Sequence, residues 1–221
     1  LNPRQPSPFE YIIVTLLFYS LHICNNNCHM YEMFFQNFRK KIPLTAEEEE
    51  QIKQYLMPKK LRKKQYLLQE GDVCRAITFI EKGALKEYTV DESGNEHIIQ
   101  FGLEGWIISD LYSFLTGEPA TYNIDAIEDA ELVLISKSAH EELLKKMPKY
   151  ETFTRLNLTG AYIAMQKRLT SIISSSLEER YASFNAIYPE IVQRVPQHMI
   201  AAYMGLTPET LSRIRRRISS K

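Results

Sequence analysis

The sequence predicts an α+β chain in three parts: a small all-β body, one long helix and a C-terminal helix-turn-helix. Three observations carry that expectation. Short apolar runs recur from Tyr66 to Ile135 at a spacing of about 8–12 residues, separated by glycine and acidic turns. Tyr150 to Ile173 holds a helical pattern that no proline interrupts. Beyond Pro196 two short helical patterns meet at Gly205, and the second carries a run of arginines.

Composition sets the bounds. With 221 residues, 44% hydrophobic and 24% charged, the chain reads as a globular protein of one or two domains. A collagen, a low-complexity chain and a fully disordered one are excluded. Twenty-seven basic residues balance 27 acidic ones, so any nucleic-acid signal must be local. It is local: Leu177 to Lys221 holds 7 basic and 4 acidic residues, a net of +3 on a body of −3. Three cysteines are too few for a disulfide scaffold, which favours a reducing, cytoplasmic setting.

Residues 1–29 are expected to be a non-native or disordered extension outside the functional fold. Tyr11 to Cys24 is an apolar run of 14 residues, short of the ~20 needed to span a membrane, so no membrane partner is expected. His22-Ile23-Cys24 makes a poor signal-peptide cleavage site, and the first methionine is Met30. His22, Cys24, Cys28 and His29 are too crowded for a tetrahedral metal site. Cys74 would be a further thiolate, but it falls in a predicted strand, where a small buried hydrophobe is the ordinary explanation. No metal is expected.

The elements follow in order. Met30 to Phe38 and Thr45 to Leu56 read as helices, the second opened by the capping box of Thr45 and Glu48. After Met57-Pro58 the period changes to strands at Tyr66–Gln69, Ala76–Ile80, Leu85–Val90, His97–Phe101, Ala120–Ile127 and Ala130–Ile135. This spacing indicates a sandwich or barrel. Ser138 with Glu141 reads as another capping box, starting a helix that stops near Pro148.

The long helix that follows places Leu158, Tyr162, Met165, Leu169 and Ile172 at steps of 4, 3, 4 and 3. That is the a/d seam of a helix pair, so a homodimer is expected, with Gly160 allowing close approach. About 24 residues span roughly 36 Å, longer than a lid on so small a β body needs. The competing reading is a helix lying on its own domain.

The tail carries the strongest signal. Glu178 to Tyr188 reads as a helix ended by Pro189, and Pro196 opens the next, packed by Ile200, Ala201 and Tyr203. Met204-Gly205-Leu206 is a tight turn, Thr207 an N-cap and Pro208 a first helical residue. Leu211 and Ile214 face inward, while Glu209, Thr210, Ser212 and Arg213 face outward. Two helices on a short glycine turn, the second polar and basic, match a DNA-binding helix-turn-helix. Glu209 can accept from a cytosine amino group, and Arg213 can pair with guanine O6 and N7. Thr207, Arg215, Arg216 and Arg217 are the candidate phosphate contacts. The competing reading is a helical hairpin with a solvated charged face.

A β body, a long helix and a helix-turn-helix in that order resemble the Crp-Fnr family of bacterial transcription regulators, from about Met30 to Lys221. The stretch G-L-T-P-E-T-L-S-R-I, Gly205 to Ile214, is similar to the fumarate-nitrate-regulator side of that family, whose E-x-x-S-R triad reads DNA. The triad falls on Glu209, Ser212 and Arg213. Pro208 stands where cyclic-AMP receptor proteins carry another base-reading arginine. The resemblance implies a jelly-roll-like double-stranded β-helix over 30–148, a cyclic-nucleotide-binding-like sensor. It further implies a dimerisation helix over 149–176 and a DNA-binding domain over 177–221. Implied partners are a palindromic double-stranded DNA site, a second copy of the chain and RNA polymerase.

The resemblance places an effector pocket at Ser109, Asp110, Leu111, Ala120, Thr121, Met165 and Gln166. There Asp110 would accept from a ribose hydroxyl and Thr121 would donate one hydrogen bond. The phosphate-pairing arginine of cyclic-nucleotide binders is Ala120 here, so cyclic AMP in the usual mode is not expected. No cofactor is expected, and the effector is not legible. The cluster cysteines of oxygen-sensing members are not matched. The β-hairpin wing of the family is expected to be truncated or absent, since only Ser219, Ser220 and Lys221 follow Ile218, with the arginine cluster in its place.

A second class is a small-molecule-sensing or protein-interaction module with a vestigial DNA domain. No Walker loop, G-x-S-x-G, H-E-x-x-H or Cys-x-x-Cys is present, and His97, His140 and His198 lie in different elements, so no enzyme is expected.

Overall fold

The computed structural model describes residues 31–219. Two short helices, α1 (Glu32–Lys41) and α2 (Ala46–Lys53), lead into the strands. These are β1 (Met57–Leu61), β2 (Tyr66–Leu68), β3 (Ala76–Lys82), β4 (Leu85–Val90) and β5 (Glu96–Gly102). After β6 (Ile107–Ile108) and helix α3 (Leu111–Thr116) come β7 (Asn123–Ala126) and β8 (Ala130–Ser136). Helices α4 (Lys137–Lys146), α5 (Pro148–Ser174) and α6 (Leu177–Ile187) follow. The chain then runs through α7 (Pro189–Arg194), α8 (Gln197–Met204) and α9 (Pro208–Ser219).

The eight strands form two antiparallel four-stranded sheets, in the orders β1-β8-β3-β6 and β2-β7-β4-β5. Except for β4 and β5, which pair with each other, sequence neighbours fall in different sheets, the jelly-roll form of the sandwich that the strand spacing predicts. Gly83 makes the β3–β4 turn with φ +97°, and a Cβ there would stand 2.6 Å from the Asp129 carbonyl. Only glycine fits.

Three apolar clusters hold the molecule together. Between the sheets lie Leu61, Ile80, Leu85, Ile108, Ile124 and Leu132. On the outer face of the first sheet, Phe34 and Phe38 of α1 meet Phe79 of β3 and Phe153 of α5. Phe38 and Phe153 stack with ring centroids 4.1 Å apart, which anchors the start of the long helix to the body. Such a ring contributes about 3–5 kcal/mol, judged by truncation to alanine. The third cluster joins the second sheet to the C-terminal helices. It unites Tyr88, Ile98 and Phe101 with Phe184, Ile200 and Leu211.

The structure bears out the Thr45–Glu48 capping box, with both reciprocal hydrogen bonds present. It corrects the second one: Ser136, not Ser138, caps α4 by accepting from the Ala139 N–H at 3.2 Å. Pro148 does not merely stop α4; it occupies the first turn of α5, where its missing N–H costs nothing. Strand β1 was hidden by Pro58. The strand pairs with β8 alone, and such an edge position tolerates a proline. The expected strand Ala120–Ile127 shortens to Asn123–Ala126, because Ala120 pairs instead with Asp72 and Gly71 through its backbone. Cys74 is buried but sits in the loop before β3 and not in a strand. The expectations for residues 1–29 and for the wing fall outside the described residues.

Candidate nucleic-acid interface and sensor interior

The C-terminal unit is built by its caps. Ser176 and Glu179 form a capping box that starts α6. As expected, α6 ends just before Pro189, at Ile187; Pro189 then opens α7, a helix the sequence does not announce. Gly205 ends α8 at φ +68°, its N–H bonded to carbonyls of the last turn. Thr207 then accepts from the Thr210 N–H at 3.3 Å, and Pro208 begins α9. Leu211 and Ile214 are buried against α6 and α8.

This packing turns the opposite side of α9 to solvent. Glu209, Ser212 and Arg213 are exposed and Thr210 is half-buried. Arg213 donates to the Thr210 hydroxyl at 3.2 Å, which holds the guanidinium along the first turn. The Glu209 carboxyl is held below its ordinary range by the free backbone N–H at the helix start, then by the Thr207 hydroxyl and Arg213. It is therefore an anionic acceptor at neutral pH. Thr207, Arg215 and Arg216 are exposed as well. Arg217 differs, because it pairs with Glu178 of α6 at 3.1 Å.

Three arginines that the sequence reading counted only as charge or passed over tie the C-terminal helices to one another and to the β body. Arg194 of α7 donates to both carboxylate oxygens of Glu104, at 2.7 and 2.9 Å, and to Glu128. Arg168 of α5 lies 4.0 Å above the Tyr203 ring, donates to the Tyr203 carbonyl at 3.1 Å and reaches the Ile99 carbonyl of β5. Arg180 of α6 donates to the Met204 carbonyl at 3.0 Å. These polar ties ring the apolar cluster between β5 and α8. No sequence pattern marks them, since each partner lies far away along the chain.

The long helix is buried at one end only, and beyond it the ties of Arg168 hold it to β5 and Tyr203. Tyr150 and Phe153 are buried, whereas no residue from Thr154 to Ser174 is. Leu158, Tyr162, Met165, Leu169 and Ile172 are 46–62% exposed, and Ile173 is 77% exposed. In a single chain this is an open apolar stripe.

Of the residues expected to form an effector pocket, Asp110 and Thr121 are joined by a hydrogen bond, with Ser109, Leu111 and Ala120 beside them in the chain, while Met165 and Gln166 make no hydrogen bond to this group. Asp110 is fully buried, and its two oxygens accept from the N–H groups of Ser113 at 2.9 Å and Thr121 at 3.0 Å. It caps α3 and ties down the following loop, in place of the ribose contact expected of it. Thr121 spends its N–H on that tie. Leu111 is 39% exposed, and Ala120 is buried. Met165 and Gln166 are exposed on α5, with Gln166 donating to the Tyr162 hydroxyl at 3.0 Å. Only Ser109 of the seven lines a cleft of about 200 Å³ that opens between the sheets.

One buried acid escaped the sequence reading. Glu87 shares the inward face of β4 with Leu85, since alternate strand residues point the same way. Burial, then the nearby Asp110 charge, push its carboxyl up to about 8. No hydrogen bond or ion pair satisfies it among the described residues. Both faces of this strand are covered, one by the other sheet and one by the C-terminal helices.

Comparison with known proteins finds similarity in both parts of the chain. Residues 58–147 match the cyclic nucleotide-binding domain. The fumarate and nitrate reduction regulatory protein of Vibrio cholerae is 29% identical over 187 residues, covering 78% of this chain and 74% of that protein. A transcriptional regulator of the crp/fnr family from Eubacterium rectale shares the fold with a TM-score of 0.61, at 17% identity over 80% of this chain and 84% of that one. The chain is similar to Crp-Fnr regulators in sequence and in fold. FixK2 of Bradyrhizobium japonicum has the same fold, with a TM-score of 0.63 and 19% identity over 75% of this chain and 85% of that one. Among the described residues no helix is long and apolar enough to cross a membrane, and no cluster of residues suits a metal ion. His22, Cys24, Cys28 and His29 lie outside the described residues.

Proposed function

We propose that this chain is a Crp-Fnr regulator, a cytoplasmic homodimer that binds palindromic DNA and reads it with α9. The observation that carries the reading is the outward face of that helix. Its apolar side is spent on packing. Glu209, Ser212 and Arg213 are left exposed beside two arginines, Arg215 and Arg216, that have no partner among the described residues. Glu209 and Arg213 suit a C·G pair in the major groove, and Arg215 and Arg216 suit phosphates. A two-fold pair of such helices reads half-sites about 34 Å apart. The bare stripe of α5 supplies the pairing surface, and RNA polymerase is the further partner such a regulator implies.

The experiment is a duplex titration at several salt concentrations. Binding that weakens linearly in log–log form, with a slope near −0.9 per phosphate contact, supports the reading. Salt-independent or absent binding supports the alternative of a sensing module with a vestigial DNA unit.

The cyclic-nucleotide mode is not part of this reading. Ala120 carries no charge for a phosphate, and Asp110 is committed to two backbone N–H groups. Calorimetry with cyclic AMP is expected to show no binding at micromolar concentration; a micromolar or tighter dissociation constant contradicts this.

A further inference from the structure

The cleft between the sheets has a composition of its own. Leu68 of β2, Ile124 of β7 and Leu134 of β8 give it apolar walls, and Ser109 adds a hydroxyl. Two cations, Lys59 and Arg75, line it as well. Lys59 shares the inward face of edge strand β1 with the buried Leu61. Arg75 stands in the loop before β3 and is exposed. Neither side chain has a hydrogen bond or ion pair among the described residues. An inward lysine on an edge strand is a common guard against strand pairing. That accounts for Lys59 but not for a second unpaired cation at the same apolar mouth.

The deep side of the cleft is different. Cys74, which also lines it, lies close enough to Glu87 and Asp110 for both to act on its thiol, which burial in the first place keeps protonated. The deep side thus offers an anion no cation, and the two cations stand at the rim. At about 200 Å³ the cleft is smaller than the roughly 300–1,000 Å³ of sites for drug-sized ligands. A cyclic nucleotide, with its bulky polar base and sugar, fits neither the size nor the apolar walls.

We propose that this cleft binds a small amphipathic anion, a carboxylate on a short hydrocarbon tail, with the head between Lys59 and Arg75 and the tail against Leu68, Ile124 and Leu134. This rests on reading the β body as the sensing part of the regulator. Guanidinium and ammonium groups both form strong charge-assisted bonds to carboxylate, and the walls take up the tail.

The test is calorimetry on the full chain with three probes of equal tail: octanoate, octanol and octylammonium. Octanoate is expected to bind, octanol about tenfold or more weakly, and octylammonium not at all. The double variant Lys59→Gln, Arg75→Gln is expected to lose octanoate affinity by about tenfold or more while leaving octanol unchanged. A merely structural effect moves both. Equal octanoate binding by parent and variant, octylammonium binding as tight as octanoate, or no binding of any probe overturns the proposal. A duplex-binding assay on the same samples separates the two readings. DNA binding without octanoate binding removes this site and leaves the regulator reading intact. Octanoate binding without DNA binding keeps the site and removes the DNA reading.

Discussion

The β body and the helix-turn-helix treat their polar side chains in opposite ways. Inside the body, Asp110 spends both oxygens on backbone N–H groups, Lys86 is buried against Glu96 and 3.7 Å from Asp125, and His140 meets the Tyr150 hydroxyl at 2.8 Å. On α9 the reverse holds: Glu209, Ser212, Arg213, Arg215 and Arg216 stay exposed. The first arrangement satisfies groups that burial would otherwise penalise; the second leaves donors and acceptors open for a partner. Glu87, Lys59 and Arg75 break the pattern of the body, and they are where its own chemistry is to be sought.

The contrast can be broken at several points. The largest effect is expected at the pairing stripe. Leu169→Glu places a charge on an otherwise apolar surface and is expected to give monomers by analytical ultracentrifugation. Losing the second half-site contact should weaken duplex binding by about 10²–10⁴-fold. A variant that remains dimeric contradicts the seam.

The next effect lies inside the body. The Glu87 carboxyl titrates near 4.5 when unfolded and near 8 in the fold. Between those values the native state holds a proton that the unfolded chain has released. Stability therefore falls as pH rises from about 4.5 to about 8. Glu87→Gln removes that dependence and is expected to stabilise the protein by roughly 1–3 kcal/mol at pH 7.5, with little change at pH 4.5. Denaturant melts at both pH values check this; equal shifts at the two contradict it.

The smallest effect separates two neighbouring arginines. Arg216→Ala is expected to reduce the salt slope of duplex binding by about 0.9. Arg217→Ala should change it less, because Glu178 already neutralises that charge. Equal losses would show that the pair with Glu178 opens on DNA.

Much of this was legible in the sequence, for physical reasons that differ by region. The helix-turn-helix is written locally: Gly205, Thr207 and Pro208 set the turn, and Leu211 and Ile214 fix which side of α9 is bare. The bare stripe on α5 was legible for the same reason, as a periodicity of 3.5. At the expected effector pocket the sequence named Asp110 and Thr121 but not the hydrogen bond between them, which joins residues eleven apart. Glu87 and Arg194 were invisible because β4 is covered on both faces and Arg194 meets Glu104, 90 residues away. Proline misled once: Pro58 hid an edge strand.

The central claim is that α9 reads bases through Arg213 and Glu209. A binding selection on random duplexes, run for the parent and for Arg213→Ala, tests it most directly. The parent should enrich a palindrome with half-sites about one turn apart. The variant should lose the preference at one base pair per half-site, at about 1–3 kcal/mol for each lost bidentate contact, and keep the rest. No enriched palindrome for the parent, or an unchanged preference in the variant, would contradict the account.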